Sequence, residues 1–224
     1  MVTVRSPTVD NCSGTVPPVI TIVVRVWMPD RPGALGQVAS RIGAVRGDVL
    51  AIEILEQGGG RAIDEVTVSL PDEDLIALLT AEVDAVDGVS VESIRIVDPD
   101  RTDASLSALA LGAAIAECAP AERLDVMIKG IQWFSETDWV VVLRSDQLIA
   151  QLGAAPDLGW LTAFLAGSEH LDGLDDSAPS DLLWASMTTS GLTVAAGRAG
   201  NPIHERERVR FSLLVRLADA LIAP

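Results

Sequence analysis

From residue 19 onward, the chain shows first a hydrophobic pattern with a period of two and then one with a period near 3.6. The first pattern is the β-branched run VITIVVRVWM at 19–28, which predicts a strand whose alternate side chains point to opposite faces. One predicted face is aliphatic: Ile20, Ile22, Val24 and Val26. The other face is mixed: Thr21, Val23, Arg25 and Trp27.

Two helices and three more strands are predicted after this first strand. Apolar residues then recur at helical spacing, at Leu35, Val38, Ile42 and Val45, and the segment RGD ends that helix. The strand patterns VLAIEILEQ and AIDEVTVSL flank the turn GGGR, which suits a hairpin. The segment 71–86 begins with Pro71 and three acidic residues, which favour a helix start, and the strand pattern VSVESIRIV follows.

The resulting order is β-α-β-β-α-β, the split βαβ arrangement with two helices on one face of an antiparallel sheet. This set is complete at Val97, so we predict a domain over residues 19–97. Residues 1–18 lack the apolar core of a signal peptide, and we predict a flexible tail there. The polar segment DPDRTD at 98–103 is predicted to be a linker.

Residues 104–224 show a different organisation. Helical patterns cover 104–117 and 121–135, strand pairs are predicted at DWVVVLRS with QLIAQLG and at LLWASM with LTVAAGR, and PDLGWLTAFLAG between the pairs is helical. A long helix closes the chain. We predict that its apolar stripe packs on the second sheet, through Val209, Leu213, Leu217 and Leu221, while Glu205, Arg206 and Arg210 face solvent. The predicted fold class is α+β.

Composition narrows the classes of partner. The chain has 49% hydrophobic residues, enough for a sizeable core, and a formal net charge of −16 that both halves share. Such charge repels phosphate backbones and anionic lipid, so we expect neither nucleic acid nor membrane as a partner. Like charge on the two halves also predicts no extensive polar contact between them. Two cysteines form no disulfide framework, which is typical of the cytoplasm.

The junction MPDRPGALG, between the first strand and the first helix, carries the most specific local chemistry. Pro32 fixes φ for a first helical turn, and Asp30 is placed to accept from unpaired backbone amides there. Gly33 allows close approach to the helix N-terminus, whose free N–H groups suit a carboxylate. The same residues are also ordinary turn and capping chemistry, so a purely structural role stays open.

Together with the element order and the later DEVTVSL, this junction resembles an ACT domain, a family of small-molecule-sensing regulatory modules, over residues 19–97. The resemblance implies an effector site, often for an amino acid held between two copies of the domain. The implied ligand-binding residues lie in the loop, the helix start and the entry of the second strand: Asp30, Pro32, Gly33, Ala34, Leu35, Asp48 and Val49. Members that bind serine-like effectors tend to place His and Asn where Met28 and Asp30 stand here.

The second half is similar, more weakly, to a GAF-type sensory domain. The similarity lies in the helix before DWVVVL, the pair LLWASM and LTVAAGR, and the terminal IHERERVRFSLLVRLADAL. Four predicted strands are fewer than that family generally has, so the implied domain over 104–224 is abbreviated.

No constellation of catalytic or metal-binding residues is evident. His170 and His204 stand at no metal-like spacing, and we expect His204 to be solvated or to cap the last helix. The acidic loop containing Asp172, Asp175, Asp176 and Asp181 is predicted to be solvated. Four tryptophans of the second half are expected to fill a core or a partner surface: Trp133, Trp139, Trp160 and Trp184.

These observations predict a non-enzymatic, cytoplasmic regulator that needs no cofactor and binds a small molecule, an amino acid being favoured, through its first half. The alternative is a structural or interaction module whose sensory folds have lost ligand binding. We also expect a homodimer through the ACT-like half, because Trp27 is too large and apolar to be left in water on the open sheet face.

Overall fold

Two four-stranded antiparallel sheets, one in each half, organise the parts of the chain that the computed structural model describes, residues 19–100, 103–168 and 179–223. The class is therefore mixed α+β, as predicted. The predicted tail, His170 and most of the acidic loop lie outside the described residues. Within the described ranges, no helix combines the length and the apolar character needed to cross a membrane.

The first half has the predicted β-α-β-β-α-β order. Its elements are β1 (Ile20–Pro29), α1 (Ala34–Ala44), β2 (Asp48–Gly58), β3 (Arg61–Leu70), α2 (Leu75–Asp84) and β4 (Ser90–Val97). The strands lie in the order β2-β3-β1-β4, with every neighbouring pair antiparallel. This is the ferredoxin-like, split βαβ topology.

The core of the first half lies between the sheet and its two helices. The aliphatic face of β1 packs into this core through Ile22, Val24 and Val26, together with the helix residues Val38, Ile42, Leu79 and Val83. The hairpin between β2 and β3 turns at Gly59 and Gly60, whose φ angles are 58° and 77°. Positive φ at both central residues matches the right-handed twist of a two-residue hairpin, so the predicted turn at GGGR is confirmed.

The second half builds a layer of helices on each face of its sheet. Its elements are α3 (Ala104–Glu117), α4 (Arg123–Ser135), β5 (Trp139–Arg144), β6 (Gln147–Gly153), α5 (Leu158–Gly167), β7 (Leu182–Met187), β8 (Leu192–Gly197) and α6 (Glu205–Ile222). The strand order is β6-β5-β8-β7. Residues of α3, α4 and α6 share one core with the sheet, and α5 packs on the opposite face.

The predicted packing stripe of α6 is wrong. Val209, Leu213 and Leu217 are 37%, 54% and 41% exposed, while Leu221 alone of that stripe packs against the core. The buried face instead holds Phe211, Leu214, Val215 and Ala218. Both sets have helical spacing, and the buried one is the broader stripe of three- and four-residue steps that a core-facing helix uses.

The expectation of little polar contact between the halves is also wrong, because a buried ionic cluster joins them. Arg25 on β1 is 2% exposed and donates from Nε to Glu65 of β3 at 2.9 Å and from Nη2 to Glu207 of α6 at 2.8 Å. Arg198 donates to the same Glu207 at 2.8 Å and to the Ser135 carbonyl at 2.9 Å. Glu207 is thus held between one arginine from each half.

A second ring of contacts surrounds this ionic cluster. His204 lies between the two carboxylates of Glu92 and Glu56, at 2.8 Å and 3.3 Å from its ring nitrogens, and meets Trp27 edge to face at 6.2 Å between ring centroids. Glu205 and Arg206 are exposed, in line with the prediction, although Arg206 also binds Glu53 of β2. Arg210 binds the same Glu53 and is only partly exposed, so the prediction is wrong for this residue.

The open face of the first sheet is therefore already covered. Thr21, Val23 and Arg25 are each 5% exposed or less, and the Trp27 indole N–H donates to Glu92 at 3.0 Å. The second half of the same chain occupies the face that we expected a second copy to cover. A homodimer through this sheet face is therefore excluded.

We predict that Arg25→Ala destabilises the protein by about 3–5 kcal/mol, because it leaves the carboxylates of Glu65 and Glu207 buried with one fewer cation. The matched control is Arg41→Ala, which removes an exposed pair with Glu82 and should cost less than about 1 kcal/mol. Urea denaturation followed by tryptophan fluorescence measures both. Equal losses in the two variants would contradict a structural role for the cluster.

Stability should fall with acid through Glu207. The positive charges of Arg25 and Arg198 lower the pKa of this carboxyl to about 2, against the opposing effect of its burial. A lowered folded-state pKa contributes stability that is present above the unfolded value of 4.5 and is lost as the pH falls toward 2, by about 3 kcal/mol in all. Glu207→Gln keeps the acceptor that caps α6, so the stability difference between wild type and variant should shrink across this window. A difference that stays constant would contradict the assignment.

Candidate functional site

The junction between β1 and α1 presents an uncapped helix N-terminus. Gly33 is the N-cap residue of α1, and within the described part of the chain no side chain accepts from the first-turn amides. Pro32 precedes the cap in a turn closed by the Ala34 N–H donating to the Arg31 carbonyl at 3.2 Å. The first-turn N–H groups and the positive end of the helix dipole therefore face a region open to an anionic group.

Asp30 does not cap this helix, contrary to prediction. Its Oδ1 accepts from the Gln57 side chain at 3.0 Å, and its backbone N–H donates to the Gly60 carbonyl at 2.9 Å. The carboxylate is thereby held at the end of the β2–β3 hairpin, beside the start of α1. The loop thus carries a fixed negative charge next to a positive helix end.

Asp64 on β3 is a further member of this site that the sequence patterns did not single out. It lies opposite Val26 of β1 and Ile54 of β2, on the face that packs against the helices. Its side chain is buried, and its Oδ1 has no hydrogen-bond partner among the described residues. Burial, and after it the negative charge of Asp30, raise the pKa of this carboxyl.

A helix N-terminus with the carboxylate of Asp30 beside it, and with Asp64 within electrostatic range of Asp30, is complementary to a ligand that carries both charges. The carboxylate of an amino acid would suit the amides of the first turn of α1. Its ammonium group would suit Asp64 and Asp30 and would give the buried Oδ1 the donor that it lacks. The additional acid in this loop thus fits a zwitterion better than it fits a simple anion.

The structure does not bring the second predicted set of ligand residues to this place. Asp48 pairs with Ser69, whereas Asp30 lies beside Gly60 at the opposite end of the sheet. Eight residues of β3 separate the two ends, a distance of about 26 Å. Asp48 and Val49 therefore lie too far away within one chain. In the predicted loop, Ala34 is buried, Leu35 is partly buried, and Pro32 and Gly33 are exposed.

The other sequence candidates are used differently. His204 is the N-cap residue of α6, where its backbone N–H donates to Glu207 Oε2 at 3.0 Å, but its ring is buried and not solvated. Trp139 lies in the core, Trp160 stacks on Phe164, Phe164 meets Trp184 edge to face, and Trp133 is 65% exposed. No set of three or more potential metal ligands comes together within the described residues.

Comparison with known proteins gives structural likeness only. No family model and no curated protein matches the chain. An unknown protein from Galdieria sulphuraria is 21% identical, with 45% of this chain and 66% of that one covered and a TM-score of 0.31. This chain therefore spans just under two thirds of that protein.

Two further solved structures are similar to parts of this chain. The ACT domain from GTP pyrophosphokinase of Chlorobium tepidum is 15% identical and fully covered, over 36% of this chain, with a TM-score of 0.30. A putative glycine cleavage system transcriptional repressor is 12% identical over 80% of this chain and 78% of its own, with a TM-score of 0.29. The ferredoxin-like fold of the first half is established by its own sheet order and connections, and the ACT and GAF resemblances stay predictions.

The φ angle of Gly33 is +88°, a conformation that costs other residues about 1–2 kcal/mol. With a negative φ at this position, a larger residue would have cost little stability. The positive φ of Gly33 makes the same substitution strained. We predict that Gly33→Val lowers the free energy of unfolding by at least about 1 kcal/mol, although a Cβ there meets nothing within 4 Å. Gly33→Asn should cost less, because asparagine tolerates this region. Chemical denaturation measures both, and equal costs would contradict backbone strain as the cause.

Proposed function

We propose that this chain is a non-enzymatic regulatory protein whose ACT-like domain binds a small zwitterion, an amino acid, at the junction of β1 and α1. The observation that carries the proposal is the buried Asp64 Oδ1, which has no partner among the described residues. Asp64 lies within electrostatic range of Asp30, which precedes the N-cap residue of α1 by three positions. A buried carboxylate without a donor is costly, and a ligand ammonium would remove that cost. The family resemblance of the loop at 30–35 supports the same ligand class.

The second half is proposed to be a sensory or partner domain of the GAF type that carries the regulatory output. Its α6 begins directly on the sheet of the first half, where Glu207 contacts Arg25 and His204 contacts Glu56 and Glu92. A change in the first sheet would therefore reach α6 through direct contacts, without a flexible connection. We propose a cytoplasmic location and no nucleic-acid partner, in line with the acidic net charge.

A second candidate function is an interaction module whose sensory folds bind no ligand. The covered face of the first sheet favours this alternative. The ionic cluster and its surrounding contacts are enough to explain that face by a structural role, without a ligand. Under this alternative, Asp64 is an unfavourable buried group that the fold tolerates, and no amino acid stabilises the protein.

We predict that at least one of the 20 proteinogenic L-amino acids raises the Tm of the protein at neutral pH, because a ligand that prefers the native state stabilises it. Asp64→Asn should weaken that binding about 10- to 100-fold, since a hydrogen bond to a charged group is lost. The variant's Tm without ligand should be unchanged or higher at pH 7. Because the folded-state pKa of Asp64 is raised, its ionisation above the unfolded value costs stability, and the amide removes that cost.

The matched control is Asp87→Asn, which makes the same charge change at an exposed position of the same half. It should leave both the Tm and the ligand-induced shift unaltered. Thermal denaturation over a concentration series of each amino acid, repeated with the variants, gives these values. If no amino acid shifts the Tm at about 1 mM, which is about 1000 times a micromolar Kd, the protein is the interaction module that binds no ligand. A ligand whose affinity Asp64→Asn leaves unchanged binds elsewhere.

A further inference from the structure

An apolar surface spans the two halves on the side where β2, α3 and α6 meet. A groove of about 700 Å³ lies there, and the exposed aliphatic residues that line it are five: Ile54, Leu109, Val209, Leu213 and Leu217. Each of the five is substantially exposed, Leu109 by 66%. Leu106, on the same helix as Leu109, is exposed as well. These six residues form what we call the α3–α6 surface.

The α3–α6 surface is near the upper end of what monomers carry. Its six aliphatic residues, each between about one third and two thirds exposed, present on the order of 500 Å² of apolar area, and patches of that size often have a function. A stable interface needs about 800 Å² on each partner. The polar rim of the groove supplies the remainder, through Ser105, Gln57, Glu205 and Arg206.

We propose that the α3–α6 surface pairs with a second copy of this chain. A two-fold interface requires one patch to be complementary to itself, and this patch contains both of the required parts. Val209, Leu213 and Leu217 form a ridge at four-residue spacing along α6, and the groove that runs beside the ridge is lined by α6, α3 and the end of β2. Ridges of this spacing pack into the grooves of a neighbouring helix.

The net charge of −16 on each copy opposes this association. Because salt screens this long-range repulsion more than it weakens apolar burial, the dimer should tighten as the ionic strength rises.

This surface shares no residue with the loop at 30–35, so the inference does not depend on the proposed ligand. It replaces the expected homodimer through the open face of the first sheet, which the second half covers. Because β2 belongs to one half while α3 and α6 belong to the other, the second copy would contact both halves at once.

The test is sedimentation equilibrium of the full chain between about 1 and 100 µM, a range that brackets the Kd of ordinary interfaces. We expect wild type to dimerise. Leu213→Glu and Leu109→Glu, each at a residue more than half exposed, should keep the wild-type Tm within a few degrees and weaken dimerisation at least about 30-fold. The matched control is Leu78→Glu on α2, which adds the same charge at a leucine that is 48% exposed and lies outside the α3–α6 surface.

Unchanged dimerisation of the control, together with its loss in the other two variants, supports the proposal. Wild type that stays monomeric up to 100 µM at both low and high salt would overturn it and would leave the groove to another protein or to an apolar small molecule. A dimer that all three variants weaken equally would also overturn it, because added charge alone would then explain the effect.

Discussion

The position of Glu207 determines how the two halves of this protein fit together. A carboxylate can be buried only where cations replace the water that it loses, and here one cation comes from each half: Arg25 from β1 and Arg198 from the loop that follows β8. The pairing lowers the pKa of Glu207 to about 2, so the group is charged in the folded state throughout the physiological range. Because Glu207 lies in the first turn of α6, it fixes the start of that helix on the first sheet. His204, the N-cap residue of the same helix, is thereby positioned between two glutamates.

The elements of the fold were predictable from the sequence, because each depends on residues that are close together in the chain. The alternation in β1 and the glycines of the hairpin predicted local structure that the coordinates confirm. The contact between the halves was not predictable in the same way, since Arg25 and Glu207 are 182 positions apart. The net charge of a half also does not show which individual charges meet at the contact. Both halves are acidic, yet Arg25 of the first half lies against Glu207 of the second.

The candidate site was predictable in part for the same reason. The position of the loop at 30–35 could be predicted from its own residues. The sign of φ at Gly33 could not, because it depends on how the turn closes. The placement of Asp48 could not either, because it depends on the direction of α1. That helix runs back along β1, so β2 begins at the far end of the sheet. Asp64 had a sequence sign as well: it occupies an alternating position of β3 between Ala62 and Val66, which both face the core. A charged residue in such a position is costly unless it is paired, and this makes it a candidate for function.

The end of β2 connects these features physically. Over five consecutive residues, Glu53 binds Arg206 and Arg210, Ile54 lines the groove, Glu56 faces His204, and Gln57 holds Asp30 at the start of the candidate site. The strand departs from regular register with β3 between Ile54 and Glu56, and such an irregularity lets neighbouring side chains of one edge strand point to different surroundings. A ligand that draws on Asp30 would compete with Gln57 for the same carboxylate. Any displacement of Gln57 would therefore act on the segment that also contacts α6, so the site and the second half share one short piece of backbone.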